Sequence, residues 1–213
     1  MTVLAGLAAT AALAAPGDPK VAIKAGDQAR AKAILLKAAE LPGKGWTSAP
    51  VDFGRANPLC LTKRYSLSKL TVSAQAGTEF TRAVDTGTFL VDSAVRTFLT
   101  PKQAANAVQI RSALGVGKCL GQALAAEAPN GSTTTSNVKP FAIKGLALKS
   151  NGFLITISVI TGGQTQKLTA VVLSFHHGRT VNELNALTLG KGWSKAKLRA
   201  VAAIMATRTA STR

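Results

Sequence analysis

The C-terminal half of the chain carries the pattern that most constrains the fold, a series of short strand-like runs. Four runs are rich in β-favouring residues, at 141–149, 153–160, 166–175 and 180–189. Asn151-Gly152 and Gly162-Gly163 separate the first three runs, and both dipeptides are favoured in tight hairpin turns. His177-Gly178 offers a further turn before the fourth run. The pattern predicts a meander of antiparallel strands.

Helices are predicted before and after these strands. Asp27 is placed to cap a first helix that runs to about residue 40. Thr100 is placed to cap a second helix, with Pro101 in its first turn and Gln103 at the capping-box position. This second helix is expected to run to about residue 114.

Two further helices complete the helical set. Gly115 and Gly117 are expected to separate the second helix from a short third one at 119–127. Ser194 begins a closing helix, whose apolar residues at helical spacing are Leu198, Val201, Ala202 and Met205. We expect this last helix to cover one face of the sheet.

Two more strand candidates, at 67–74 and 87–99, point to a mixed architecture. The second changes phase near Ser93, which suggests a bulge, and the polar segment 128–137 is typical of a surface loop. The predicted fold is a single compact α+β domain, an antiparallel sheet flanked by helices. The predicted organisation is a signal peptide at 1–15, a linker at 16–26, the domain at 27–208 and a disordered tail at 209–213.

The N-terminal segment indicates export. It is an uncharged apolar run that ends in Ala12-Leu13-Ala14, as a signal peptidase site requires. The first cation is Lys20, so either the true start lies upstream or the free amine sets the orientation. A bilayer span takes about 20 apolar residues, so no stable membrane anchor is expected. The alternative is an Ala-rich N-terminal helix of a cytoplasmic protein.

The chain has two cysteines, Cys60 and Cys119. An even count in an exported protein predicts one disulfide bond between them. The alternative is two buried thiols that never meet. Neither the cysteines nor the adjacent His176 and His177 have the spacing of zinc ligands, so no metal and no cofactor are predicted.

The charge of the chain is strongly positive. Lys and Arg number 26 against 9 Asp and Glu, which gives a formal net charge of +17. This balance favours anionic partners such as envelope polymers, lipid headgroups or nucleic acid. The cations are spread along the sequence, and the aromatic residues are too few to form a stacking platform for single strands. Charge therefore predicts association without a specific recognition chemistry.

Six side chains are best suited to contact a ligand, because they combine a flat ring or a planar cation with loop or strand-end positions. They are Trp46, Arg64, Tyr65, Arg96, Arg179 and Trp193. Ordinary packing or solvation is the alternative for each. Trp46 and Trp193 end the same tetrapeptide, Gly-Lys-Gly-Trp, so each could pack at a similar junction between sheet and helix.

No catalytic residue is predicted. Glu79, Asp85 and Asp92 lie in one strand-turn-strand region, and acid–base chemistry would need them to meet in a pocket with separated pKa values. Surface pairing with Lys and Arg is the simpler interpretation. No serine lies in a nucleophile elbow, and the side chains of His176 and His177 are expected to point to opposite faces of a strand.

Several short motifs follow one another between about residues 26 and 208. They are Pro42-Gly43-x-Gly45-Trp46, Cys60, Val95-Arg96-Thr97-Phe98, Ala104-Ala105, Cys119-Leu120, Gly178-Arg179-Thr180 and Arg208. Their order resembles that in exported actinobacterial proteins related to the PknH-like extracellular sensor domains. The resemblance implies a single α+β domain with an antiparallel sheet, a cleft and no known catalytic activity. Those domains usually carry two disulfides and an attachment to a kinase or membrane anchor, and the resemblance assigns no ligand residues here.

The leading functional hypothesis is a secreted, non-enzymatic ligand-binding or sensor-like domain of the cell envelope. It is expected to be a monomer that takes a small or polymeric anionic ligand in a cleft beside the sheet. The alternative is a cationic surface-association protein that binds acidic envelope polymers or nucleic acid by dispersed charge. A third possibility is an unrecognised hydrolase, which needs the carboxylates of Glu79, Asp85 and Asp92 to converge.

Overall fold

A largely antiparallel sheet lies at the centre of the molecule in the computed structural model, which describes residues 18–51, 53, 60, 65–84, 87–190 and 192–211. Within these ranges the strands are β1 (Lys20–Val21), β2 (Thr47–Pro50), β3 (Thr71–Val84), β4 (Gly87–Phe98), β5 (Thr133–Phe141), β6 (Ser150–Thr161), β7 (Gln164–His177) and β8 (Thr180–Leu189). The helices are α1 (Ala25–Ile34), α2 (Pro101–Arg111), α3 (Leu114–Ala126) and α4 (Lys195–Ser211), and a 3₁₀ turn covers Ala38–Glu40.

The strands are arranged in the order β1-β3-β4-β8-β7-β6-β5, and β2 pairs with the later part of β3. Strand β1 is parallel to β3, and the remaining described pairs are antiparallel. Strands β5 to β8 follow one another as an unbroken meander. The predicted α+β class and the predicted meander are therefore confirmed.

Helices cover both faces of the sheet, because successive residues of a strand point to opposite faces and each apolar face must be buried. On the α1/α4 face, helices α1 and α4 enclose a core that includes Phe80 and Leu184. On the α2/α3 face, helices α2 and α3 cover strand residues that include Phe98 and Phe153. The result is a three-layer structure with a core on each side of the sheet.

The first helix begins and ends earlier than predicted. Lys24 is its N-cap, so Asp27 lies in the first turn instead of at the cap. The carboxylate of Asp27 is buried and accepts hydrogen bonds from Ser73 and Arg179. The chain leaves the helix after Ile34, and Leu36 beyond it is buried, with its N–H donating to Ser93 Oγ at 3.2 Å. Tertiary contacts thus override the helical pattern that extended to residue 40.

The predicted start of α2 is confirmed. The Thr100 hydroxyl accepts a hydrogen bond from the Gln103 N–H at 3.2 Å. Gln103 does not close the capping box, because its Oε1 accepts instead from the Thr71 N–H at 3.2 Å. The predicted helix end near residue 114 is wrong, since α2 ends at Arg111.

Glycines that were expected to end a helix lie inside one. Gly115 and Gly117 both belong to α3, which starts earlier than the predicted helix at 119–127. A Cβ at Gly117 would lie 2.9 Å from the Phe153 ring and 3.0 Å from Val138. Glycine therefore allows α3 to approach the sheet closely, and this need for space outweighs the low helix propensity of the residue.

Gly162 and Gly163 form the β6–β7 turn as predicted, with φ of +58° and +77°. The next turn is at Gly178-Arg179, and β8 spans the predicted residues. The predicted turn at Asn151-Gly152 is wrong, because both residues lie in β6. A Cβ at Gly152 would lie 1.9 Å from the carbonyl oxygen of Val172 on the neighbouring strand, so this glycine serves a close approach within the sheet.

Three other strand predictions need correction. Strand β5 occupies much of the predicted loop at 128–137, because its β-branched threonines favour a strand although they are polar. The predicted strand at 141–149 is mostly a turn-rich segment that returns the chain to β6. The described bulge lies in β3 between Val72 and Ala74 rather than near Ser93, where β4 stays in register with both neighbours.

Both ends of the described chain are more ordered than the sequence pattern suggested. Strand β1 lies within the predicted linker at 16–26, and α4 continues to Ser211, into the predicted tail. Thr209 is buried there and accepts a hydrogen bond from Asn182 Nδ2 at 2.8 Å. The Ser194 hydroxyl accepts from the Lys197 N–H at 3.3 Å, as predicted for the start of this helix.

The predicted signal peptide lies outside the described residues. None of the helices that the structure describes is long and apolar enough to cross a membrane.

Cys60 and Cys119 form the predicted disulfide bond, with their Cα atoms 5.5 Å apart. Cys60 is buried in the α2/α3 core with Val116 and Phe153. Cys119 lies on α3, so the bond links this helix to a position 59 residues earlier in the sequence.

Candidate functional site

Trp46 and Trp193 meet beside the α1/α4 face. Their rings stand edge to face with centroids 6.0 Å apart, a favoured geometry for aromatic pairs. Trp46 Nε1 donates to the Pro42 carbonyl at 3.2 Å, and Trp193 leads into α4. The two copies of Gly-Lys-Gly-Trp therefore bring their indoles together, whereas the sequence suggested only two similar but separate junctions.

A groove of about 210 Å³ lies beside Trp193. The sheet contributes the floor of the groove through Leu154, Thr169, Val171, Ala186 and Thr188. The walls come from Phe141, Gly192, Trp193, Lys195 and Leu198. Gly192 keeps Trp193 close to the floor, because a Cβ at this position would lie 3.1 Å from the Thr169 methyl group.

Two cations border the aromatic residues around the groove. Lys195 Nζ lies 5.9 Å from the centre of the Phe141 ring. The Arg82 guanidinium lies 5.0 Å from the Trp46 centroid and 5.2 Å from that of Phe89. Arg82 Nη1 also donates to the Pro42 carbonyl at 3.0 Å, which fixes the guanidinium over the indole. The rings of Phe141, Trp46 and Phe89 thus each lie next to a positively charged side chain.

This arrangement suits an amphipathic anion. The floor is apolar apart from the hydroxyl groups of Thr169 and Thr188, and Lys195 offers a positive charge at the wall. None of the ten lining residues is a carboxylate, a histidine or a cysteine. The groove therefore offers contacts for an apolar body and an anionic head.

Of the six predicted ligand contacts, Trp193 lines this groove, and Trp46 packs against Trp193. Arg64 lies outside the described residues. Tyr65 packs with the α2/α3 core beside Cys60. Ligand contact stays a prediction for all six residues. The described partners of Arg96 and Arg179 include the carboxylates of Glu183 and Asp27.

Arg179 links the β7–β8 turn to α1. Its Nη2 lies 3.1 Å from Asp27 Oδ1, and its Nη1 donates to the Phe98 carbonyl at 3.2 Å. Burial alone would raise the pKa of Asp27, but hydrogen bonds from Ser73, Arg179 and Arg30 hold it well below its usual range. Asp27 is therefore a charged anchor for three elements of the fold.

Arg96 belongs to an ionic cluster on the α2/α3 face. Its Nη1 lies 3.0 Å from both carboxylate oxygens of Glu183, and Arg111 Nε lies 2.5 Å from Glu183 Oε1. The Phe53 ring lies 4.6 Å from the Arg96 guanidinium. Burial lowers the pKa of Arg111, while the charge of Glu183 opposes this shift. One buried carboxylate thus compensates two guanidinium groups.

Two of the three acidic residues named in the hydrolase hypothesis do meet. Glu79 and Asp92 are directly opposite each other on β3 and β4. Burial, and then the charge of Glu79, raise the pKa of Asp92 to about 7, although a hydrogen bond from Asn185 acts in the opposite direction. Asp92 Oδ1 is buried without a hydrogen-bond partner. Asp85 lies outside the described residues, and the pair is on the opposite face of the sheet from the groove.

The two histidines follow the sequence prediction. They are consecutive on β7, so their side chains point to opposite faces, with His176 half-buried and His177 exposed. In the described part of the chain no group of three or more His, Cys, Asp or Glu residues is placed to hold a metal ion.

Sequence reasoning missed most of the groove. Phe141 and Lys195 come from elements far apart in the chain, and Lys195 has the pattern of a solvated residue at a helix start. Thr169 and Thr188 meet because β7 and β8 pair in register, Thr188 Oγ1 lying 3.4 Å from the Thr169 carbonyl. The repeated Gly-Lys-Gly-Trp tetrapeptide was the one signal in the sequence that pointed to this place.

No family model matches this chain, and no curated protein matches it in sequence. Its structure is similar to the crystal structure of the extracellular domain of PknH from Mycobacterium tuberculosis, with a TM-score of 0.52 and 12% sequence identity. The match covers 86% of this chain and 97% of that domain. The similarity supports the fold that the motif resemblance implied, and at this identity it concerns the fold alone.

Proposed function

We propose that this protein is an extracytoplasmic, non-enzymatic ligand-binding domain of sensor type, and that its ligand is a small amphipathic anion. The groove beside Trp193 is the observation that carries the proposal. Its apolar floor suits a short acyl chain or an aromatic ring, and Lys195 stands where the anionic head would lie. The absence of a carboxylate, histidine or cysteine among the ten lining residues supports binding without catalysis.

Two findings support the extracytoplasmic placement. The Cys60–Cys119 disulfide bond is typical of proteins that mature in oxidising compartments. The PknH domain, to which this structure is similar, is an extracellular domain. Together with the apolar N-terminal segment, these findings favour export over residence in the cytosol.

Decanoate and phenyl phosphate are suitable probes for the groove, because each combines an apolar body with an anionic head. We expect both to raise the melting temperature, as a ligand does when it binds only the native state. Lys195→Glu should weaken decanoate binding about tenfold, since a favourable charge contact becomes repulsive. Calorimetric titration of each variant measures this change.

Lys197→Glu is the matched control for the groove experiment. Lys197 is exposed on the same turn of α4 and does not line the groove, so this variant has the same net charge as Lys195→Glu. It should keep nearly the wild-type affinity. Equal losses in both variants, or no thermal shift with either probe, would contradict the proposed site.

Export is tested separately by the mass of the mature protein. We expect the N-terminal segment to be removed after Ala14 or Ala15, because the small residues there suit a signal peptidase. Intact-mass measurements should differ by two hydrogens with and without reduction, since the disulfide would be formed. Recovery of the uncleaved chain from the cytosol with both thiols free would refute the extracytoplasmic role.

A further inference from the structure

In the C-terminal half of the protein, the exposed charged side chains are almost all positive. After Glu127 the sequence contains one acidic residue, Glu183. That carboxylate is 6% exposed and is paired with Arg96 and Arg111. Consequently the described residues of β5 to β8 and α4 expose no carboxylate to solvent.

Part of the sheet on the α1/α4 face is exposed beyond the groove. We call it the open sheet face; it consists of Thr133, Thr135, Asn137 and Lys139 on β5, Thr156, Ser158 and Ile160 on β6, and Thr165 and Lys167 on β7. The β5 and β7 residues of this set are exposed, while Thr156 and Ser158 are half-buried. Hydroxyl, amide and ammonium groups therefore dominate this surface.

The strand register aligns these side chains in rows across the sheet. Thr135, Ser158 and Lys167 form one row. Two rows away along the strands, Lys139 stands opposite Leu154, which is a floor residue of the groove. With about 3.3 Å per residue, the rows of the open sheet face span about 20 Å. The open sheet face thus leads directly into the groove.

Cations continue on the other side of the groove. Lys195 lies at its wall, and Arg199 follows one turn later on α4. Arg199 Nη2 donates to the Gly145 carbonyl at 3.3 Å and is otherwise exposed. Lys139, Lys167, Lys195 and Arg199 are all exposed and lie along one side of the molecule, on or beside the groove.

We propose that the open sheet face binds a segment of an acidic polysaccharide, a proposal that relies on the extracytoplasmic placement argued above. Threonine, serine and asparagine side chains can donate to and accept from sugar hydroxyl groups. Lys139 and Lys167 are placed to neutralise acidic groups along the polymer. The exposed rows extend about 20 Å along the strands, a length that suits an extended polymer segment.

Other polyanions fit this surface less well. Proteins that bind single-stranded nucleic acid stack its bases on aromatic side chains, and the open sheet face contains no aromatic residue. A bilayer interface favours several protruding apolar residues, whereas Ile160 is the one large apolar residue in this set. Protein interfaces favour Trp, Tyr and Arg anchors, which are also missing from it.

Polygalacturonate is the probe for this proposal, with its methyl-esterified form as the uncharged counterpart. We expect wild-type protein to bind polygalacturonate at low ionic strength, with affinity that falls as salt is added. Lys139→Glu/Lys167→Glu should weaken this binding about tenfold or more. Lys102→Glu/Lys118→Glu changes the net charge equally at exposed positions on α2 and α3, and should weaken it less than about threefold.

The same titrations include a DNA duplex and phosphatidylglycerol vesicles. Tighter binding of either one than of polygalacturonate at equal ionic strength would overturn the proposal. Equal losses in the two double variants would also overturn it, because dispersed charge would then account for the binding. Both double variants should still show the decanoate-induced thermal shift, which verifies their fold. If wild-type protein binds the polymer but not decanoate, the groove function fails and the surface proposal stands.

Discussion

Glu183→Ala is expected to lower the free energy of unfolding by about 3–5 kcal/mol, because it leaves two guanidinium groups without their shared counter-charge. Arg96 is 5% exposed, so water cannot replace the carboxylate. Chemical denaturation at neutral pH measures the loss. A decrease of less than about 1 kcal/mol, the size typical of a surface ion pair, would contradict the assigned role.

Two comparisons isolate the cause of this loss. Glu127→Ala removes the same charge from an exposed position at the end of α3, so it should change stability by less than about 0.5 kcal/mol. Replacing the whole cluster, as in Arg96→Met/Glu183→Leu/Arg111→Met, should recover most of the stability, since no buried charge is then left unpaired. Failure of the triple variant to recover would point to packing instead of charge.

Asp92 is expected to make the protein less stable as the pH rises through neutrality. Its folded-state pKa of about 7 lies above the ordinary value of 3.8, so the native state favours the protonated carboxyl. The stabilisation by this proton is complete below about pH 4 and is lost as the pH passes 7. At about 1.4 kcal/mol per pKa unit, and with allowance for partial exposure, the loss should be about 2–4 kcal/mol.

Asp92→Asn should remove this pH dependence, because the amide stays neutral. Unfolding free energies at pH 4.5 and pH 8 measure the difference, and the variant should exceed wild type at pH 8 (about 2–4 kcal/mol) while matching it at pH 4.5. Glu79→Gln should move the transition to lower pH, since the charge of Glu79 contributes to the raised pKa. Parallel pH profiles for wild type and Asp92→Asn would contradict the assignment.

The elements that were predicted correctly are those determined by residues close together in the sequence. Gly162-Gly163 and the Thr100 cap act through their own backbone geometry, so the β6–β7 turn and the start of α2 were predicted correctly. Asn151-Gly152 has a comparable turn signal but lies within β6, where Gly152 instead allows the close approach of Val172. A glycine in the sequence therefore does not reveal whether the fold needs a turn at that position or a close approach of two backbone segments.

The candidate site was predictable only in part for the same reason. Trp46 and Trp193 stood out through their repeated tetrapeptide and their rings. The groove floor depends on the register between β6, β7 and β8, which the hydrophobic pattern does not specify to the residue. The Arg96–Glu183–Arg111 cluster depends on pairing between β4 and β8 and on the position of α2, so Arg96 could be singled out while its partners could not.

The contribution of α4 makes the groove depend on contacts between distant parts of the sequence. Lys195 and Leu198 belong to this helix of 17 residues, which is the last described element. Arg208 fixes the helix by donating to the Leu35 carbonyl at 2.7 Å. The groove therefore has its full set of walls only while α4 is docked against the sheet.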